Sequence, residues 1–265
     1  MIHPTAIVHS GAQLDATVEV GPYAVIDARV MLGPGCRVGP FVHLTGVTTV
    51  GAGNVFHTGA VIGDAPQDLK YQDAPTRLRI GDHNIFREHV TVHRSNKLEE
   101  DTVIGAHGFY MSHAHVAHNC QLGDSVMMAN GATLGGHVCV EERAFISGNC
   151  LVHQFVRVGA LAMMQGGSAI SKDLAPFTVA RGDNSACGLN IVGLRRAGFS
   201  PAERLELKQL YRFLFREGRP LRAAAAEALA LFPGAPAQRM LAFIVASKRG
   251  VVAHPATGHG ESEQE

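Results

Sequence analysis

Val116-Ala-His118-Asn-Cys-Gln-Leu122-Gly-Asp-Ser-Val-Met-Met128-Ala-Asn-Gly-Ala-Thr-Leu134-Gly-Gly136-His-Val-Cys-Val140 carries an apolar residue at every sixth position. The step continues upstream to Tyr110 and Ile104 and downstream through Ile146, Val152, Val158, Met164 and Ile170. A period of six matches neither a helix of 3.6 residues per turn nor the two-residue alternation of a half-buried strand. It is the pattern of a hexapeptide solenoid, a parallel β-helix whose coil has three short sides.

Working outward from this stretch, the same phase runs back to the N-terminus through Phe56, Leu44, Ile26, Val8 and Ile2. It fails at Asp68 and Ala74 and resumes in phase at Ile80 and Phe86. Residues 64–79 therefore read as a polar loop thrown out from the coil, and a weaker irregularity at 95–102 reads as a second. Loops on a regular scaffold are where binding and catalysis concentrate. The fold expected for residues 1–190 is a mainly β solenoid of roughly ten coils, each stacked on its neighbours.

The repeat also allows positions to be stacked. Three hexapeptides make a coil of about 18 residues, so residue n should lie roughly 4.8 Å from residue n+18. His118 then sits below Gly136 and Gln154, with Asn119, His137 and Phe155 on one flank and Ala117, Gly135 and His153 on the other. An imidazole, a glycine with a free backbone N–H and a side-chain amide form a ladder outside the coil, which is the best candidate for an active site. The imidazole titrates near neutrality and suits a general base. A backbone N–H suits an oxyanion, and glycine allows close approach of a reacting group. Neither Cys nor Ser stands in this ladder in a nucleophile-elbow context, which favours direct transfer over a covalent enzyme intermediate.

Beyond Pro176 the six-residue step stops. Ser200-Pro201-Ala-Glu203 is a capping box with proline at the first helical position. Helices are expected from there to about Gly218, over Leu221 to Leu231, and from about Pro236 to Ser247. Residues 191–254 thus form a C-terminal α-helical domain, and the polar stretch 255–265 a disordered tail.

Composition narrows the class. Trp is absent and glycines number 30, which suits a narrow interior filled by small and aliphatic residues. Basic and acidic residues balance at 23 each, so charge gives no sign of a nucleic-acid partner. Met1-Ile-His-Pro is not followed by the apolar run of a signal peptide, and no stretch is long and apolar enough to span a membrane. A cytoplasmic protein is expected. Cys36, Cys120 and Cys150 occupy the slot that Ala6, Ala24, Ala60 and Ala132 fill elsewhere, so buried free thiols are expected rather than disulfides or metal ligands. His3, His9 and His57 fall where glycine often ends a side of the coil and read as corner residues.

Five stretches then carry a specific resemblance: Gln67-Asp-Leu-Lys70-Tyr71, Arg87-Glu-His-Val-Thr-Val-His93-Arg94, Ala114-His-Val-Ala-His118, Val152-His-Gln-Phe155 and Gly193-Leu-Arg-Arg196-Ala-Gly-Phe-Ser200. In this order, ahead of a three-helix domain, they resemble the bacterial UDP-N-acetylglucosamine O-acyltransferases of lipid A assembly over essentially the whole chain. The resemblance implies a left-handed winding, a homotrimer with sites between neighbouring β-helices, and transfer of an (R)-3-hydroxyacyl group from acyl carrier protein to the sugar 3-hydroxyl. The donor is then the carrier's phosphopantetheine thioester, with no separate cofactor and no metal. By resemblance His118 is the catalytic base and Gly136 the backbone donor to the thioester oxygen. Asp68, Lys70, His93, His115, His137, His153, Gln154, Asn190 and Arg196 match positions that hold nucleotide sugar or acyl chain. Gly166 matches the far end of the acyl groove, which implies a long chain of roughly 12–14 carbons, each buried methylene contributing about 0.8 kcal/mol. Two departures stand out: Asn119 follows His118 where some members carry Asp, and Val192 stands where some place a glutamate.

Three other readings remain open on the residues alone, one of them a purely structural solenoid. His89 and His93, or His113 and His118, could gather around zinc between subunits, as in a gamma-type carbonic anhydrase. An N-acyltransferase of the same pathway is the nearer rival, but it carries an additional N-terminal domain, and here the repeat begins at residue 2.

Overall fold

The computed structural model describes residues 1–253; the expected disordered tail lies outside them. Among the described residues, strands of two to four residues fall into three sheets of nine, eight and ten strands, the faces of a left-handed parallel β-helix. Every inter-strand pairing in these sheets is parallel except the last, Thr178–Ala180 with Ala186–Leu189.

The six-residue step is the spacing of inward side chains. On one face Ile26, Leu44, Ile62, Val92, Val116, Leu134, Val152 and Ile170 are in register, each at most 3% exposed. Burying each such side chain contributes roughly 1.5–3 kcal/mol. Another face stacks rings inside the coil, with Phe56, Phe86 and Tyr110 at centroid spacings of 5.0 and 4.9 Å. The small-residue slot admits thiols as expected: Cys36, Cys120 and Cys150 are buried and donate to the carbonyls of Gly51, Gly135 and Gln165. Tight corners between faces put non-glycine residues in the left-handed region, among them Asn119 (φ 59°), His137 (59°) and Phe155 (65°). Histidine and asparagine adopt this conformation more readily than branched residues. At these corners His83 stacks on His107 and His89 on His113.

The register shows what the interruptions are. Gln121 pairs with Cys139, the regular step of eighteen residues, whereas Val61 pairs with Thr91 and Thr91 with His115. The two excursions, residues 65–76 and 94–101, thus insert whole multiples of six, which explains why the phase survives them.

Among the described residues the last strand ends at Leu189, and four helices follow: α1 (Ile191–Arg196), α2 (Pro201–Phe215), α3 (Leu221–Leu231) and α4 (Ala235–Val245). α2 opens with the Ser200–Glu203 capping box. α1 was not expected, because six residues are too few to show helical periodicity. The helical core is shared with the last coil, since Ala175 and Phe177 pack among Leu207, Leu210, Leu241 and Ile244. Arg157 bonds Asp173 and the Phe243 carbonyl while lying 4.1 Å from the Phe243 ring centroid. After α4 the chain returns to the β-helix, where Val251 pairs with Asp173 and Ala253 with Ser185.

Candidate active site

His118 stands at a corner just after the strand His115–Val116, half buried, over the edge of a groove of about 760 Å³. Gln67, His115, Gly136, His153, Gln154 and Asn184 share that groove. The stacking arithmetic thus places its ladder correctly: His137 N–H donates to the His118 carbonyl and Phe155 N–H to the Gly136 carbonyl, at 3.0 Å each. The Gly136 N–H itself has no partner among the described residues. His137 stands edge-on to His118 at 5.3 Å and stacks on Phe155 at 4.7 Å.

The protonation of His118 follows from its neighbours. Asn119 is buried at φ 59°, and its backbone N–H donates to Thr102 Oγ1. Asn119 Nδ2 lies 3.0 Å from Glu100 Oε2, a carboxylate that only accepts, and Asn119 Oδ1 receives the Asn96 N–H, which only donates. These two bonds fix the amide's orientation independently of each other. Oδ1 therefore faces His118 Nδ1 at 2.8 Å, and the bond requires a proton on Nδ1. Nε2 is left with its lone pair, the form a base needs.

The surrounding histidines are held neutral. Burial pushes His115 down to about 4, and its Nδ1 bonds Thr91 Oγ1 at 2.7 Å. His93, 6% exposed and edge-on to His115 at 4.9 Å, is lowered by burial as well, and its Nδ1 is buried without a partner. Burial also lowers His137, with repulsion from His118 second.

Both excursions brace the site. Arg94, its side chain 7% exposed, bonds the Gly63 carbonyl, Tyr71 Oη and Asp73 Oδ1, which clamps the first loop to the coil. Asp68 accepts from the Lys70 N–H and from Asn96 Nδ2, and these bonds hold its carboxyl below the usual range. Asn96 thereby ties the first loop to the second and to Asn119. Leu69 stands fully out from the loop tip, and Lys70 beside it is exposed.

Not every expected residue joins this groove. Asn190 and Arg196 line a separate cavity of about 640 Å³ with Met127, Phe145, Met163 and Gln165, on a different face of the β-helix. Asn190 caps α1, with Oδ1 receiving the Gly193 N–H and Nδ2 bonding the Leu161 carbonyl. Arg196 is exposed, and its side chain makes no hydrogen bond or ion pair among the described residues. Gly166 sits at the corner between the two faces, where an added Cβ would touch only the Gly148 carbonyl, at 3.5 Å. Sequence reasoning missed Ser95, Asn96 and Glu100; the lapse of the repeat at 95–102 was their one signal.

Of the two histidine pairs that suggested zinc, His89 of one and His113 of the other stack face to face at 5.2 Å. Among the described residues, no group of three or more His, Cys, Asp or Glu is placed to hold a metal.

Known proteins resemble this chain over nearly its whole length. The family model for UDP-N-acetylglucosamine O-acyltransferase, domain 2, matches residues 173–252. An acyl-(acyl-carrier-protein)–UDP-N-acetylglucosamine O-acyltransferase of Herminiimonas arsenicoxydans is 43% identical over 95% of this chain and 99% of its own. One from Thermodesulfovibrio yellowstonii is 43% identical over 94% and 98%. The solved UDP-N-acetylglucosamine acyltransferase of Campylobacter jejuni superposes with a TM-score of 0.91 at 34% identity, covering 96% of this chain and all of that one. With relatives at this identity over nearly the full length of both chains, and a solved structure that superposes this closely, the chain belongs to the UDP-N-acetylglucosamine O-acyltransferase family.

Proposed function

We propose that this protein transfers an (R)-3-hydroxyacyl group from the phosphopantetheine thioester of acyl carrier protein to the 3-hydroxyl of the glucosamine ring in UDP-N-acetylglucosamine, the first step of lipid A assembly. The observation that carries the reading is the tautomer of His118. Its Nδ1–H is spent on Asn119 Oδ1 at 2.8 Å, so Nε2 is the free base beside the groove. Family membership supplies the substrates.

Nε2 takes the proton of the sugar hydroxyl as its oxygen attacks the thioester carbonyl. The oxyanion of the tetrahedral intermediate forms beside the unpartnered Gly136 N–H. Collapse breaks the carbon–sulfur bond, and the imidazolium returns the proton to the departing thiolate. The step balances with no cofactor besides the carrier's own thioester. Both substrates are water-soluble, in keeping with a cytoplasmic enzyme, and no helix among the described residues is long and apolar enough to cross a membrane.

The assembly we propose is a homotrimer. The His118 groove and the Asn190–Arg196 cavity lie on different faces of one chain, so one chain's groove can meet another's cavity around a threefold axis. Exposed apolar side chains on those two faces support this, Ile7 and Leu151 on one and Ile85 and Met127 on the other. In such a trimer Arg196 is a free cation for the nucleotide phosphates, and Asp68, Lys70, His93, His115, His137, His153 and Gln154 border the sugar and acyl chain. Gly166 leaves the acyl groove open for a long chain, and Arg181, which bonds Gln165 Oε1 at 2.8 Å, keeps that neighbouring side chain in place.

The test is His118→Ala, with turnover measured on 3-hydroxyacyl carrier protein and UDP-N-acetylglucosamine. A fall of at least about 10²-fold with the assembly unchanged is expected; near-normal turnover would remove His118 from the mechanism.

A further inference from the structure

We infer that Glu100 is a positioning residue for His118, acting through the Asn119 amide as the carboxylate that fixes and supports the base. This rests on the reading of His118 as the base. A histidine that takes up a proton in the transition state is helped by a negative charge behind its other nitrogen, and in this chain the contacting group is a neutral amide. The carboxylate stands one hydrogen bond further back: Glu100 Oε2 accepts from Asn119 Nδ2 at 3.0 Å, and Asn119 Oδ1 accepts from His118 Nδ1 at 2.8 Å. Glu100, Asn119 and His118 thus form one directed line, with each donor pointing away from the groove.

The line is built rather than incidental. Glu100 belongs to the 94–101 excursion, and that excursion holds Asn119 at two further points, Ser95 Oγ on Nδ2 at 2.7 Å and the Asn96 N–H on Oδ1 at 3.0 Å. Glu100 is itself held by Lys97 Nζ on Oε1 at 2.8 Å. That bond, first among its causes, lowers the Glu100 pKa, so the carboxylate is charged at neutral pH. His137 Nδ1 lies 3.7 Å from Oε2. The other titratable groups around His118 are Asp68, His93 and His115, and burial keeps the two imidazoles uncharged. Glu100 and Asp68 are therefore the two negative charges facing the base; Glu100 bonds the Asn119 amide directly, whereas Asp68 reaches it only by way of Asn96.

Moving the charge along the line tests this. Glu100→Gln keeps the length and an acceptor oxygen but removes the charge. kcat should fall about tenfold with KM unchanged, and the acidic limb of the kcat/KM profile should move to lower pH, because the imidazolium loses a stabilising charge. Asn119→Asp alone sets two carboxylates about 3 Å apart, where both cannot stay ionised, and should also lose activity. When Asn119→Asp is combined with Glu100→Gln the bond reverses: the amide now at position 100 donates to the carboxylate now at position 119, and His118 Nδ1 keeps its acceptor. The double variant should recover most of the wild-type kcat. The 15N shifts of His118 should report a protonated Nδ1 in the wild type and in Glu100→Gln alike, because the Asn96 N–H still orients the Asn119 amide, so that the loss in Glu100→Gln is one of charge and not of tautomer.

A Glu100→Gln enzyme with wild-type kcat and pH profile would overturn the inference and leave Glu100 a solvated loop residue. A double variant no better than Glu100→Gln would overturn it too, since loss through a disordered loop is not rescued by relocating charge. The two readings separate cleanly. If His118→Ala retains turnover the base assignment fails, whereas an inactive His118→Ala beside an unaltered Glu100→Gln sinks only the role of Glu100.

Discussion

Gly136 owes its identity to the ring below it. A Cβ there would stand 2.7 Å from His118 Cε1 and 2.8 Å from Nε2, well inside contact distance. The backbone at Gly136 is not in the left-handed region, so the demand is for space and not for conformational freedom. Gly136→Ala should therefore fold normally yet displace the imidazole, and a displacement of about 1 Å costs on the order of 10²-fold in rate. Turnover and a thermal melt measured on the same preparation check this; an active alanine variant would show that the ring has room to yield. Gly166 presents the opposite case, since a Cβ there meets only the Gly148 carbonyl at an ordinary contact distance of 3.5 Å, and a side chain would change what fits beside it.

At the scale of elements, the two excursions and the strands beside them exchange polar groups with a densely packed interior, and pH exposes the cost. His115 lies on the strand His115–Val116 and His93 on Thr91–His93, and both are lowered from 6.5 by burial, His115 to about 4. The unfolded chain takes up protons near 6.5 that the folded chain refuses until about pH 4. The stability these two histidines contribute is therefore complete above pH 6.5, falls as pH drops from there towards 4, and changes no further below. Urea midpoints measured across that window should show the slope, and His115→Gln should reduce it. An unchanged slope in the variant would mean that His115 titrates as it does in the unfolded chain.

For the whole molecule, the decisive question is whether one chain is enough. The groove beneath His118 and the cavity holding Arg196 face different ways, so the proposed trimer predicts complementation. An inactive His118→Ala chain mixed with an inactive Arg196→Ala chain should regain part of the activity after subunit exchange, because some sites then combine two intact halves. No recovery, with exchange confirmed by mass, would place both residues in the service of one chain.

What the sequence determined by itself was everything that depends on period. A six-residue step is a local rule repeated along the chain, and each inward side chain meets only its own coil and the two neighbouring ones. Hence residue arithmetic alone placed His118 beneath Gly136, put thiols in the alanine slot and located both excursions. The capping box of α2 was legible for the same reason, its partners lying three residues apart. The tertiary structure decided what the excursions do, because residues 65–76 and 94–101 have no period and their partners lie 19 to 31 residues away, as Glu100 to Asn119 and Arg94 to Gly63 do. It also decided that Asn190 and Arg196 stand on a face apart from His118. Which side of a three-sided coil a residue serves once the chain leaves the repeat is set by how the last coil packs on α2 and α4, and hydrophobic packing of that kind is non-directional and leaves no spacing to read.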